Sequence, residues 1–271
     1  MMAVAKRRVP YVLGALALFA LLVGHARWSE TTLGEPAVWT GYYLTALVLF
    51  LGAFNLRKRL SALALGPAAI WLRLHVTGGV LALPIFWLHT GTFWPTGVFE
   101  GMLAAVFYLV GITGLIGFIL QRVYPIRLTQ SGVEVIYERI PAEIAALREE
   151  AETLIVECTE KTGSDTIARQ YLETFAWYFY KPRHLVSHAF GGQRGGHWVR
   201  TRTASVKRYL NQEEGAYLDR LSALAFTKNR VDFHYTAQSV MKGWLLIHLP
   251  LSAALVVLGL WHAGLVHIYA L

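Results

Sequence analysis

Five long runs of apolar residues dominate the pattern of the chain. Each is close to the ~20 residues that an α-helix needs to cross a hydrocarbon core about 30 Å thick. Between the fourth and fifth runs, charged residues of both signs recur and no long apolar run occurs. The pattern predicts an all-α integral membrane protein, a five-span helical bundle with an inserted, mainly helical cytoplasmic module. The five runs cover residues 9–25, 38–55, 68–90, 102–121 and 241–270.

Three regions follow from this pattern. Residues 1–121 hold spans 1 to 4, residues 122–239 form the soluble insertion, and residues 240–271 supply the fifth span, which completes the bundle. Hydrophobic residues make up 55% of the chain, which is more than is usual for a soluble domain. The composition therefore agrees with the membrane prediction.

Within the insertion, local signals predict mostly helices. Pro141 and Gly163 are placed to begin and end one helix, because proline fits a first helical turn and glycine fits a helix C-cap. Residues 127–140 predict a turn and a strand-like piece, residues 190–198 predict a glycine-rich loop, and Gly215 predicts a break between two helical pieces.

The distribution of cations in short loops predicts the orientation of the spans, since cytoplasmic loops carry an excess of Lys and Arg. The loops 26–37 and 91–101 carry a single cation, Arg27, and three glutamates. The N-terminus is therefore predicted in the cytoplasm and the C-terminus outside, in a membrane of the bacterial inner (cytoplasmic) type. The first span resembles a secretory signal, and its retention as an anchor is favoured over cleavage. The cations on the predicted cytoplasmic side are Lys6, Arg7, Arg8, Arg57, Lys58 and Arg59.

The net charge of +8 is interpreted mainly as this topology signal, so membrane lipid is a predicted partner and nucleic acid is not. Residues 122–236 hold 16 Lys/Arg and 14 Asp/Glu, so the insertion is nearly balanced and does not resemble a polybasic lipid-binding arm. The single cysteine, Cys158, excludes an intrachain disulfide, covalent haem attachment through two thioethers and a cysteine-ligated iron–sulfur cluster within this chain.

Two of the apolar runs each carry a pair of histidines 14 residues apart, His75 and His89 in the third and His248 and His262 in the fifth. Fourteen residues at 100° each end about 40° from a whole number of turns, so each pair lies on one helical face with a rise of roughly 21 Å. With the N-terminus inside, both helices run in the same direction. His75 is then expected beside His248 near the cytoplasmic face, and His89 beside His262 near the outer face.

A histidine in hydrocarbon marks a ligand, a proton path or an interhelical hydrogen bond. For one such residue alone the hydrogen bond is an equal alternative, but two matched pairs at similar depth favour metal ligation. Two imidazoles at each of two levels suit two haem irons, each with histidine in both axial positions. The quartet of His75, His89, His248 and His262 is therefore the predicted site for haem iron, and no catalytic residue is predicted.

Further residues are candidates for contacts with the haem. Gly78, Gly79 and Gly114 would let a porphyrin approach the helix backbone, and ordinary close helix packing is an equal alternative. Arg73 and Lys242 are candidates for pairing with haem propionates, although a snorkelling interface residue is the better interpretation of either one taken alone.

The four histidines, their spacing and their placement resemble those of the di-haem membrane cytochromes b, as in the cytochrome b subunit of quinol:cytochrome c oxidoreductases. Ferric-reductase-like transmembrane domains, with paired histidines on their third and fifth spans, look similar. The residues that carry the resemblance are His75, His89, His248 and His262, and it covers only the spans. It implies two haems b, a quinone as a further ligand and electron transfer across the membrane. The insertion departs from these families, and no flavin or nicotinamide fingerprint is present.

The sequence thus predicts a subunit that transfers electrons between a quinone pool and redox partner subunits, such as an iron–sulfur, flavin or c-type cytochrome protein. It is expected to serve a larger membrane oxidoreductase of a respiratory chain. Two other classes stay open: a haem or metal transporter, and a non-redox scaffold or assembly factor whose histidines only make hydrogen bonds. The insertion is the candidate docking module, and its pair His184 and His188 is interpreted as structural.

Overall fold

The computed structural model describes residues 9–59 and 66–269, without the side chains of 55–59. In this part of the chain every regular element is a helix, and no strand occurs. A 3-10 turn, Tyr137–Arg139, and a π-helical turn, Tyr171–Phe175, accompany the α-helices. The α-helices are α1 (Val9–Thr31), α2 (Pro36–Arg59), α3 (Ala68–Thr90), α4 (Val98–Gln130), α5 (Ile140–Thr162), α6 (Thr166–Gln170), α7 (Ala176–Tyr180), α8 (Leu185–Ala189), α9 (Arg194–Lys207) and α10 (Gln212–Tyr269).

Five helices within the described residues, α1 to α4 and α10, are long and apolar enough to cross a membrane. This confirms the prediction of a helical chain with five candidate spans.

The chain forms two compact units. The first unit, Met1–Phe118 together with Trp244–Leu271, contains α1 to α3, most of α4 and the apolar second half of α10; the second unit is Ile119–Gly243.

Apolar packing of α3, α4 and α10 holds the first unit together. Phe86 of α3 and Phe107 of α4 stack with their ring centroids 4.4 Å apart. Ala82, Ala104 and Leu255 complete this buried cluster, while the helices of this unit that approach most closely are α2 and α3. Most other side chains of these helices are not buried, as expected for helices whose outer faces contact lipid.

The second unit has a core of its own, built on one face of α5. The apolar residues of this face recur at alternating spacings of four and three residues, which places them on one side of a helix. They pack against the buried aromatic residues of the π-turn and α7 and against α10. Pro141 lies in the first turn of α5, and Gly163 ends it with a φ of 67°, as predicted. The face consists of Ile140, Ile144, Leu147, Ala151 and Leu154.

Three local predictions are wrong in whole or in part; the predicted turn before the strand-like piece does occur, at Gly132 with a φ of 72°. Residues 127–140 contain no strand, because α4 continues to Gln130 and a 3-10 turn leads directly into α5. The segment 190–198 is a loop only in its first half, since α9 begins at Arg194. No break occurs near Gly215, which lies in the first turn of α10, an uninterrupted helix of 58 residues.

Part of the orientation signal falls outside what the structure describes. The orientation of the termini therefore stays a prediction, as does the inner-membrane location. The last residue of the predicted span 241–270 also lies outside the described residues. The cations concerned are Lys6, Arg7 and Arg8, which are not described, and Arg57, Lys58 and Arg59, whose side chains are not described.

Reciprocal hydrogen bonds close the first turn of α10. The Asn211 amide donates to Glu214 Oε2 at 2.9 Å, and the Glu214 amide donates to Asn211 Oδ1 at 2.8 Å. This capping box satisfies two amides that a helix start leaves without partners. It also explains why the helix begins immediately before Gly215 instead of ending there.

Replacing Asn211 by alanine removes one of these bonds and should destabilise the start of α10 by about 1 kcal/mol. Hydrogen exchange of the amides in residues 212–220 should then be faster than in the unchanged protein. Glu213→Ala is the matched control, because Glu213 is exposed and lies outside the box; equal exchange in the two variants would contradict the role of the cap.

Candidate functional site

The structure brings His89 of α3 and His262 of α10 together. Their ring centroids lie 6.2 Å apart, and the ring planes are inclined by 79°. Two imidazoles bound to one metal ion, with metal–nitrogen bonds of about 2 Å and about 1.1 Å from each nitrogen to its ring centroid, would place the centroids roughly 6 Å apart. The separation therefore suits two axial ligands of one iron.

A backbone carbonyl anchors the imidazole of His89. Its Nδ1 lies 2.8 Å from the carbonyl oxygen of Ala37 on α2, and since a carbonyl only accepts, Nδ1 must carry the hydrogen. In the neutral ring, Nε2 then has a free lone pair. Gly41 makes this approach possible, because a Cβ at that position would lie 2.9 Å from Cε1 of His89.

At the other level, where His75 of α3 is predicted to pair with His248 of α10, the structure shows what holds His248. Nδ1 of His248 lies 2.8 Å from Thr113 Oγ1. That hydroxyl has one hydrogen, which is directed to the Leu109 carbonyl at 2.8 Å, so Thr113 accepts from Nδ1–H of His248. This again leaves Nε2 with the lone pair.

Packing of Trp244 fixes the surroundings of His248. The two rings stack with centroids 5.3 Å apart, and the Trp244 indole donates to the Thr113 carbonyl at 2.7 Å. Gly117 gives the indole its space, since a Cβ there would overlap it. At Gly114 an added Cβ would lie 3.6 Å from Cε1 of His248, which is ordinary contact with the imidazole.

The second histidine at each level has no such anchor. Among the described contacts, neither His75 nor His262 makes a hydrogen bond as short as these: Nδ1 of His75 is buried without a partner of good geometry, and the Leu51 backbone is the hydrogen-bonding group near its ring. Aromatic rings flank both: Phe54 lies 4.9 Å from His75 and Phe99 lies 6.1 Å from His262, between centroids. Each level therefore combines one anchored and one unanchored imidazole.

The other predicted contact residues have different surroundings. Side chains of Leu47 and Leu51 fill the space beside Gly78, while nothing lies within 4 Å of a Cβ added at Gly79. Gly78 is thus a site of close helix packing. The guanidinium of Arg73 lies over the Tyr11 ring at 5.6 Å.

Lys242 has a partner within its own unit. Its Nζ forms an ion pair with Glu138 at 2.7 Å and lies 3.8 Å from the centroid of the Tyr137 ring. A propionate at this position would have to compete with Glu138, so the assignment of Lys242 to haem contact stays a prediction.

Sequence reasoning missed the residues that position the imidazoles. Gly41, Thr113 and the carbonyl of Ala37 lie on α2 and α4, which carry no histidine of the quartet. The only available signal was a small residue and a hydroxyl within apolar runs, and such residues usually serve helix packing.

Two further histidines lie in the first unit outside the quartet. Nδ1 of His25 lies 3.0 Å from the Tyr43 hydroxyl, and Nδ1 of His267 lies 3.4 Å from the Tyr42 hydroxyl. No group of three or more His, Cys, Asp or Glu side chains that could hold a metal ion occurs in the described part of the chain.

A second polar cluster lies inside the other unit. Lys228 Nζ donates to Asp232 Oδ2 and to the Lys181 carbonyl, each at 2.7 Å, and both side chains of this ion pair are fully buried. Nζ also lies 4.2 Å from the centroid of the Tyr178 ring. Close pairing and further hydrogen bonds of this kind are what a buried charge requires.

His188 lies next to this cluster and is buried. Burial, and after it the nearby charges of His184, Lys228 and Arg127, lower the pKa of its imidazole to about 4. Its Nε2 and that of His184 have no hydrogen-bond partner. The folded unit therefore holds His188 in its neutral form at physiological pH.

No family model, curated protein or solved structure matches this chain.

The neutral state of His188 predicts a loss of stability in acid. Because the pKa is lower in the folded than in the unfolded chain, the contribution is complete above about pH 6.5 and is lost as the pH falls toward 4, by about 3 kcal/mol in total. Hydrogen exchange of peptides from residues 140–210, corrected for intrinsic rates, should show this loss of stability as faster exchange when the pH is lowered from 7 to 5.

His188→Phe should flatten that pH dependence, whereas replacement of the exposed His197 by Phe should leave it unchanged. The same slope in His188→Phe as in the unchanged protein would show that another group is responsible.

Proposed function

We propose that this protein is a di-haem b-type cytochrome subunit that moves electrons across a membrane. The proposal rests on two pairs of histidines, each 14 residues apart on a candidate span, and on His89 and His262, whose separation suits a single iron. One member of each pair has its Nδ1 hydrogen engaged, which directs an Nε2 lone pair to a metal.

The donor set fits haem better than a bare metal ion. A porphyrin supplies four nitrogens to its iron, so the protein needs to add only two axial ligands. A structural zinc site would need four protein ligands, and the described residues offer no group of even three. With the single cysteine at Cys158 buried, coordination and packing would hold the haem.

The residues of the chain have separate tasks in this proposal. Bound haem iron would supply reversible one-electron chemistry. The quartet would hold both axial positions, so that small ligands are kept from the iron. Ala37 and Thr113 fix the orientation and raise the basicity of the anchored imidazoles. The 14-residue separation along α3 gives a rise of roughly 21 Å between the two levels.

Donor and acceptor are proposed as a quinone and a redox partner subunit. An apolar groove on α1 is the candidate place for the quinone, because it ends at His25, whose imidazole pairs with Tyr43 and is available to meet a carbonyl group. The residues that line the groove are Ala17, Ala20, Leu21, Gly24, His25 and Trp28.

Replacing any one histidine of the quartet by alanine should remove one haem, and the two histidines that share an iron should lose the same one. His75→Ala and His248→Ala should each abolish the same haem, and His89→Ala and His262→Ala the other, because each iron loses one of its two protein ligands. The measurements are a pyridine haemochrome assay and a reduced-minus-oxidised spectrum, both normalised to protein.

His25→Ala and His267→Ala are the matched controls and should keep the full haem content. A folded, purified protein without haem would overturn the proposal and favour a non-redox scaffold. A single, weakly held, high-spin haem would instead favour transport.

Thr113→Val keeps the shape of the side chain but removes the acceptor for Nδ1–H of His248. The imidazole becomes a weaker donor to iron, so the midpoint potential of that haem should rise by about 40 mV, equivalent to about 1 kcal/mol for one electron. A redox titration that resolves the two haems measures this.

Thr90→Val is the control, since Thr90 bonds only to backbone carbonyls. If the titration curves of Thr113→Val and Thr90→Val coincide, the hydrogen bond has no part in tuning the haem.

A further inference from the structure

The near balance of charge in the second unit conceals a separation of the two signs along the chain. Residues 174–212 contain seven Lys/Arg and no Asp or Glu, and residues 101–133 contain two arginines and no acid. Arg122, Arg127 and Arg194 form no ion pair with any carboxylate of the described residues. Arg122, Arg127 and Arg194 therefore present positive charge without an acidic partner, whereas Lys207 pairs with Asp219.

An exposed apolar stripe on α4 continues into the same region. Its residues follow one another at spacings of four, three, four and three, so they share one helical face. The stripe passes beyond Arg122, which ends the apolar run, and its last residue lies about 7.5 Å beyond Gln121 along the helix. That distance corresponds to the interfacial layer of a bilayer, outside its hydrocarbon core. The stripe consists of Ile112, Ile116, Ile119, Val123 and Ile126, all exposed.

The short helix α8 packs beside the end of this stripe. Tyr124, adjacent to Val123, donates to the Ala189 carbonyl at 3.1 Å, and the guanidinium of Arg127 lies against Gly191. This contact places α8 at the height of the last turns of α4. The side chains that α8 and its following residue expose are large and apolar: Val186 is 74% and Phe190 is 89% exposed.

We propose that α8 and the residue after it, 185–190, form a membrane-contact element that inserts Val186 and Phe190 into the interfacial layer of an anionic leaflet. Two features identify lipid as the occupant. The exposed apolar side chains of α8 lie near the last turns of α4, a helix that can itself span the membrane and that also exposes apolar side chains there, and the cations of these segments complement anionic headgroups. The inference goes beyond the proposed electron transfer and does not depend on haem, because every residue involved belongs to the second unit or to α4.

Spin labels on single cysteines test this in the full-length protein. In a Cys158→Ala background reconstituted into nanodiscs, Phe190→Cys is labelled and its collisions with oxygen and with a water-soluble nickel complex are compared. Leu172→Cys serves as the aqueous reference, because Leu172 is also exposed and apolar but lies next to Glu173. Leu115→Cys, exposed on the span of α4, serves as the lipid reference.

The ratio of the label's collisions with oxygen to its collisions with the nickel complex should be about threefold higher at position 190 than at position 172. It should stay below the ratio at position 115, as expected for an interfacial depth. Val186→Cys gives a second label if the change at Phe190 prevents folding. A label at 190 that is as exposed to water as the label at 172 would overturn the membrane contact and leave the patch for a soluble partner.

The lipid composition separates the two parts of the proposal. In nanodiscs of phosphatidylcholine alone the ratio at position 190 should fall toward the aqueous value, and added phosphatidylglycerol should restore it. Equal ratios in the two lipids would overturn the assignment of anionic headgroups. Haem content is read from the same samples, so a failure of the proposed cytochrome function would be recognised separately.

Discussion

The hydrogen bond from His89 to the Ala37 carbonyl is the interaction on which the candidate site depends most. It fixes both the direction of the ring and the nitrogen that carries the hydrogen. A carbonyl inside a helix is accessible to a neighbouring ring only if the adjoining surface is bare, and Gly41 provides that surface. On α4, the hydroxyl of Thr113 has the same effect on His248. Two helices that carry no histidine of the quartet, α2 and α4, thus determine how the imidazoles of His89 and His248 are oriented.

The sequence predicted the parts of the structure that follow from local periodicity. Five spans and two pairs of histidines on common faces depend only on the geometry of a single helix. The pairing of His89 with His262 also depended on topology, and the structure places their ring centroids 6.2 Å apart; the pairing of His75 with His248 stays a prediction. The anchors of the imidazoles were out of reach, since nothing along α2 or α4 indicates which small or hydroxyl residue will meet a ring from another helix.

The local errors have a common origin. Val133 and Val135 look like a strand because β-branched residues favour strands, but here they pack against the core of the second unit without a partner strand. Gly215 looks like a break, but Asn211 and Glu214 start a helix at that point. In both cases a tertiary or capping contact outweighed the propensity of a single residue. Counting charges over the whole insertion similarly missed where along the chain they lie.

The uneven anchoring of the four histidines has a consequence for assembly. A ligand that is already held in place loses little freedom when a metal binds, whereas one that is free to rotate must be ordered at that moment. At each level the anchored imidazole would therefore receive the cofactor first, and the unanchored one would close the coordination afterwards. If haem binds at these levels, the incoming cofactor would meet at most one closely held imidazole at each level, so two rigid rings would not block its entry at once.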